Sequence, residues 1–231
     1  MVLDSDKYSV VKDPQRCRVL IADDHEIVRT GVRTLVQSVS YWEVVGEAGD
    51  GRDAVQKANE LRPDLVVLDI GMPLLNGLEA ARQMLRSDPR CRILILSMHD
   101  SDLIIREILD IGARGYVLKS DTNRDLLMAI KAVRNNKTFF TAKVAQIMAD
   151  SYVHTGLHFS ERDVPQSRLT PRQREVVQLV AEGSSSKEVA VALGLSVKTA
   201  EKHRANIMKR LDCHSVTDLV RYALKNSIIQ V

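Results

Sequence analysis

The sequence predicts an α/β domain built on a doubly wound five-stranded parallel sheet, followed by a small all-α domain of four short helices. Three observations carry that expectation. Five short apolar runs recur along the chain: VLIAD (19–23), EVVGEA (43–48), LVVLDI (65–70), ILILS (93–97) and GYVLK (115–119). They are rich in Val, Ile and Leu and lack polar alternation, which suits strands covered on both faces. Between them apolar residues fall three and four apart, as in Ile27, Val28, Val32, Leu35 and Val36, or Leu103, Ile104, Ile108 and Ile111 before Gly112. Alternating strand and helix patterns of this kind make a parallel sheet with helices on both faces.

After Asn136 the alternation stops. Ala142–Val153 has the pattern of one more helix, and His154–Ser167 is polar, with Gly156 and Pro165. The chain therefore divides into a first domain at 17–136, a partly helical linker at 137–167 and a second domain at 168–231. Helix starts in the second domain are plainly written. Thr170-Pro171-Arg172-Gln173 offers a cap, a proline in the first turn and a capping-box glutamine. Ser185 to Glu188 repeats the box after Gly183, Ser196 caps a third helix after Gly194, and Ser215 caps a fourth.

Composition excludes several classes. Of 231 residues, 45% are apolar and 27% charged, as in ordinary globular chains. No apolar run approaches the roughly 18 residues of a membrane span. The first 15 residues mix acids and bases with no hydrophobic core, so no secretion signal is expected. Cys17, Cys91 and Cys213 are an odd number without metal-ligand spacing, so a reducing cytoplasm is expected. The net charge of +3 is unevenly spread. Residues 168–231 hold 11 Lys and Arg against 6 Asp and Glu; the remainder holds 22 against 24. A basic end on a mildly acidic body suggests a polyanionic partner for that end alone.

Ligands of doubly wound sheets bind beyond the carboxyl ends of the strands. Here those ends carry Asp23 and Asp24, Asp69, Ser97 and Lys119. Each has an ordinary reading alone, as a helix cap, a turn or a solvated edge. Together they gather three carboxylates, a hydroxyl and an ammonium around one crevice. Clustered carboxylates repel unless a cation neutralises them. Mg²⁺, which takes few carboxylates together with water and a phosphate oxygen, meets that need. Ser97 and Lys119 then become donors to a phosphoryl group, and Asp69 becomes its nucleophile. His25 reads as a polar neighbour.

ADDHEIVRTG (22–31), LDIGMPLLNGLEA (68–80), ILSM (95–98) and GYVLKS (115–120) occur in the order and spacing of bacterial receiver domains. Residues 18–135 resemble that flavodoxin-like domain of two-component response regulators. The resemblance implies that Asp69 accepts the phosphoryl group from a sensor histidine kinase. It implies that Asp23, Asp24, Asp69 and the Gly71 carbonyl hold Mg²⁺. Ser97 and Lys119 are assigned to the phosphoryl oxygens, and Tyr116 to the aromatic that reorients on activation. Gly71 and His99 stand at positions that vary within the family and tune phosphoryl lifetime.

LTPRQREVVQLVAEGSSSKEVAVALGLSVKTAEKHRANIMKRL (169–211) resembles the LuxR-type helix-turn-helix. With the receiver, the chain resembles a NarL/FixJ-type response regulator. Physical patterning agrees. Val189, Ala190 and Leu193 form an apolar stripe, and Gly194-Leu195-Ser196 makes a turn. In the next helix Lys198, Glu201, Lys202, Ala205 and Lys209 share one face, with Ala200, Ile207 and Leu211 opposite. Such a helix fits the major groove of double-stranded DNA. Lys202 and Glu201 are placed to reach bases, and Lys209, Arg210 and Thr199 to meet phosphate. Val216, Leu219, Val220 and Ala223 are candidates for a dimer contact, with packing inside the bundle as the competing reading.

The expected function is a phosphorylation-switched transcription regulator: a homodimer when phosphorylated, with RNA polymerase as a possible further partner. Two other readings compete. A phosphohydrolase of the haloacid-dehalogenase type needs a second Asp two residues after the nucleophile, and Gly71 stands there. The second keeps the DNA-binding module but makes the receiver a phosphorylation-independent dimerisation domain, and the complete set of site residues argues against it.

Overall fold

In the computed structural model, residues 16–98, 102–141, 144–146 and 169–229 are described. The first domain alternates strand and helix. Its elements are β1 (Cys17–Ala22), α1 (Glu26–Gln37), β2 (Trp42–Ala48), α2 (Gly51–Leu61), β3 (Leu65–Asp69), α3 (Gly77–Ser87), β4 (Ile93–Ser97), α4 (Asp102–Ile111), β5 (Gly115–Leu118) and α5 (Thr122–Arg134). A short 3₁₀ turn, Lys119–Asp121, joins β5 to α5. The sheet is wholly parallel, in the order β2-β1-β3-β4-β5.

Strand residues alternate between two cores. Leu20, Ala22, Val66, Leu68, Ile93, Ile95 and Tyr116 pack with α2, α3 and α4, through residues such as Ala54, Leu78, Met84 and Ile108. Val19, Ile21, Leu65, Val67, Leu94, Leu96 and Val117 pack with α1 and α5, through Val32, Val36, Leu126 and Ile130. Burial on both faces is why the strands are uniformly apolar. The expected runs are confirmed, with small differences at their ends. Asp23, Ile70 and Lys119 lie just past their strands, because the chain there leaves the sheet to begin the loops that carry the polar groups.

The second domain is helical: α6 (Pro171–Ala181), α7 (Ser186–Leu193), α8 (Val197–Leu211) and α9 (Val216–Lys225). Thr170 and Ser185 make full capping boxes with Gln173 and Glu188. Ser196 caps α8 through Thr199, and Ser215 forms a third box with Asp218. Gly194, at φ 62°, makes the left-handed turn between α7 and α8. Val176, Val177, Leu179 and Val180 of α6 form a third core with Val189, Ala190, Leu193, Ala200 and Ile207.

One expectation needs correction. Leu219 and Ala223 lie inside that third core and are 1% and 0% exposed. The bundle needs the inner stripe of α9 to close over α6, so these two residues are packing and cannot also form a dimer surface. Val216 is exposed, and Val220 is partly so. Most of Ala142–Val153, all of His154–Ser167 and His99 lie outside the described residues.

Candidate functional site

The strand order places β1 beside β3, the point where the sheet winds in both directions and a crevice opens at the carboxyl ends. Register then assembles the site. Ala22 pairs with Leu68, so Asp23 and Asp69 follow side by side. Asp69 pairs with Leu96 and Ser97 with Leu118, which brings Ser97 and Lys119 to the same rim. Residues almost a hundred positions apart in the chain become neighbours.

Asp69 is 3% exposed and Asp23 1%. Lys119 Nζ lies 2.8 Å from Asp23 Oδ2 and 3.1 Å from Asp69 Oδ2, bridging the two carboxylates. Burial pushes the Asp69 carboxyl up to about 6; Lys119 opposes the rise, and Asp23 adds to it. Burial pulls the Lys119 ammonium down, but Asp69 and Asp23 outweigh it and hold it above its ordinary value. Ser97 is fully buried, and Tyr116 lies in the core beneath α4 with 1% exposed.

Asp23, Asp24, His25 and Asp69 each bring a ligand atom within 4.8 Å of the others. Asp23 Oδ2 is buried and makes no aligned hydrogen bond, even with Lys119 close by. Such an oxygen, among further hard oxygen donors, suits a divalent cation. Asp24 reaches His25 instead, with Nδ1 2.7 Å from its Oδ1. His25 is thus part of the cluster and also the N-cap position of α1, where it makes no side-chain cap bond. Arg29 donates to the Asp23 carbonyl at 2.7 Å and steadies the β1–α1 turn. Neither role was legible in the sequence; a histidine after two aspartates is the only signal for the first.

Behind Asp69 the chain is tight. Gly77 begins α3 against the Asp69 carbonyl, and a Cβ there would stand 1.9 Å from that oxygen. Only glycine permits so close an approach. Asn76 caps α3 by accepting from Glu79 N–H, and Gly77 N–H donates to the Ile70 carbonyl at 2.9 Å.

In the second domain Lys198, Glu201, Lys202, Lys209 and Arg210 are exposed along α8, opposite buried Ala200 and Ile207. Thr199 is partly covered, its hydroxyl 2.8 Å from that of Ser196. Arg210 also reaches Gln173 Oε1 at 3.2 Å. The helix offers a mainly basic outer face.

Comparison with known proteins agrees with this geometry. The model of the response regulator receiver domain matches residues 19–131, and that of the bacterial regulatory proteins of the luxR family matches residues 167–223. The chain is 36% identical over 217 residues to the oxygen regulatory protein NreC of Staphylococcus haemolyticus, covering 92% of this chain and 99% of that protein. The NreC of Staphylococcus carnosus is likewise 36% identical, over 214 residues. Among solved structures, RcsB of Salmonella enterica serovar Typhimurium, bound to a promoter with the phosphomimetic BeF3-, is 27% identical. It covers 90% of this chain and 98% of its own, with a TM-score of 0.57.

Receiver and helix-turn-helix together define a two-component response regulator, a transcription regulator that binds DNA under the control of phosphorylation. The chain belongs to the NarL/FixJ type of that family. Among the described residues no helix is long and apolar enough to cross a membrane.

Proposed function

We propose that Asp69 is the phosphoacceptor and that a sensor histidine kinase is its donor. The observation that carries this reading is the buried Asp69 carboxylate at the sheet's switch point, bridged through Lys119 to Asp23. An Asp69 oxygen attacks phosphorus and forms an acyl phosphate O–P bond, while the P–N bond of a phosphohistidine breaks and the imidazole keeps the electron pair and takes a proton. Lys119 and Ser97 receive the new phosphoryl oxygens. Asp23, Asp24, Asp69 and the Gly71 carbonyl would hold Mg²⁺, which neutralises the crowded charge. Hydrolysis of the acyl phosphate at the same site resets the chain, which turns over no other substrate.

The domain limits 17–136, 137–167 and 168–231 accompany this reading, as does action in the cytoplasm. Tyr116 is the switch residue, moving with Ser97 when the phosphoryl group arrives. Phosphorylation favours a homodimer that binds promoter DNA through Lys198, Thr199, Glu201, Lys202, Lys209 and Arg210, with Val216 and Val220 as the outward residues of α9 at the dimer contact. RNA polymerase is a further partner in this reading. The test is labelling by acetyl phosphate with Mg²⁺. The intact chain should take up one base-labile label and the Asp69→Asn variant none; equal labelling of both would overturn the assignment.

A further inference from the structure

A cavity of about 620 Å³, the size of a small-ligand pocket, opens at the other end of the sheet, where β3 and β4 begin. β3 runs from Leu65 there to Asp69, and β4 from Ile93 to Ser97, so the length of a strand separates it from the acidic crevice. Its floor is apolar, made by buried Ala58 and Met84. Cys91 lies beside them, and burial pushes its thiol up to about 11, which keeps it neutral. Around the floor stand three arginines, Arg62, Arg90 and Arg92, against two carboxylates, Asp64 and Asp88.

The acceptors are engaged and the donors are not. Asp64 Oδ2 accepts from the Arg18 backbone N–H at 2.9 Å, and Asp88 Oδ1 accepts from that of Arg90 at 2.9 Å. Arg92 is part of the wall, donating to the Asp64 carbonyl at 3.3 Å and to Asn136 at 3.1 Å. Arg62 Nη1, by contrast, comes no nearer to Asp88 than 3.8 Å. Arg90 Nε stands 3.4 Å from the same carboxylate, and its side chain is 93% exposed. Asn59 accepts from the Ser87 hydroxyl at 2.7 Å, and its amide NH₂ has no partner among the described residues.

The backbone at Arg62 is strained. This residue is the C-cap of α2 at φ 47°, a left-handed position that ordinarily falls to glycine. Asn136 and Asp212 adopt the same region, but asparagine and aspartate enter it far more readily than arginine does. The chain is fastened so as to keep it there. Arg18 Nη1 donates to the Leu61 carbonyl at 2.8 Å and to the Arg62 carbonyl at 3.1 Å. A long cationic side chain is thus fixed at the rim of a cavity by a backbone better suited to glycine. Strain held at a residue whose side chain has no close partner marks a binding role.

We propose that this cavity binds a small organic phosphate of the nucleoside monophosphate class. Guanidinium forks match phosphate oxygens two at a time. Arg62 and Arg90 together offer more donors than the two oxygens of a carboxylate take up, and a phosphate monoester supplies three oxygens and a double charge. The Asn59 amide adds a donor, and the ring of the ligand lies on Met84 and Ala58. No bond is made or broken, and Asp69 takes no part, so this site stands or falls apart from the phosphoacceptor.

The experiment is a titration of the full, ¹⁵N-labelled chain with adenosine 5′-monophosphate, without Mg²⁺, followed by amide chemical shifts. The shifts should fall in residues 58–64 and 84–92 and saturate with a Kd of about 1 mM or tighter. Adenosine, which lacks the phosphate, and inorganic phosphate, which lacks the apolar body, should each bind at least about tenfold more weakly. Arg62→Gly suits the local backbone, so its urea midpoint should hold or rise while binding weakens at least about tenfold. Lost binding in a chain no less stable separates a ligand contact from a merely structural role. Unchanged affinity in Arg62→Gly, equal binding of adenosine or inorganic phosphate, or shifts confined to Ser97, Lys119 or α8 would overturn the site.

Discussion

Asp69 is a carboxyl that the fold would rather keep neutral. Its folded pKa of about 6 lies above the 3.8 of an ordinary aspartate. The neutral form is therefore favoured by folding; the benefit is complete below about pH 4 and is lost as the pH rises through about 6. At pH 7 the cation-free chain carries an ionised group that costs up to about 3 kcal/mol. Asp69→Asn should then raise the urea midpoint at pH 7 and leave it nearly unchanged near pH 3.5. Millimolar Mg²⁺ should stabilise the parent and not the variant. An equal gain at both pH values would show that the effect is not one of charge. On the other domain, Lys202→Ala should cost about 1–3 kcal/mol on a specific operator and relax preference at one base pair. Lys209→Ala should weaken all sequences alike and lower the salt slope by about 1. Footprinting and fluorescence titration at two salt concentrations distinguish the two.

At the scale of elements, the β3–α3 connection and the helix caps carry the local specification. Gly77→Ala would place a methyl against the Asp69 carbonyl, where backbone and not a flexible side chain must yield. The expected loss is about 1–3 kcal/mol or more, read from the urea midpoint. Ser215→Ala removes the hydroxyl that accepts from Asp218 N–H at 3.1 Å and should cost about 1 kcal/mol. Chemical shifts of α9 should move more than those of α8. The capping boxes at Thr170 and Ser185 were legible in the sequence because a cap is a contact between residues three apart. The inner stripe of α9 was only half legible. Val216, Leu219, Val220 and Ala223 follow helical spacing, but spacing alone does not say whether the apolar face meets its own bundle or a partner. The core took Leu219 and Ala223.

For the molecule as a whole, phosphorylation is a shift between populations, and its size is bounded by differential binding. If the phosphoryl group favours the dimer by about 3 kcal/mol, the dimerisation constant should strengthen by roughly a hundredfold. Sedimentation with and without phosphodonor measures that directly, and a coincident pair of profiles would remove the switch. If the dimer is two-fold, half-sites should lie about 10 base pairs apart, centre to centre. The joint between domains was not legible at all. Gln178 and Glu175 stand three apart on α6; both are buried, and they meet Asn76 and Arg52 of the first domain.

Sequence alone determined what depends on neighbours along the chain or on periodicity. Strands buried on both faces, the amphipathic helices, their caps and the set Asp23, Asp24, Asp69, Ser97 and Lys119 all follow from composition at fixed spacing. Tertiary structure decided what depends on distance through space. Strand order and register brought Lys119 between Asp23 and Asp69, and burial raised the Asp69 pKa. Packing against another domain turned Asn76 and Gln178 from polar surface residues into hydrogen-bonded partners. The physical reason is range: backbone propensities and caps act over a few residues, whereas desolvation and hydrogen bonding between distant segments exist only once the chain has closed upon itself.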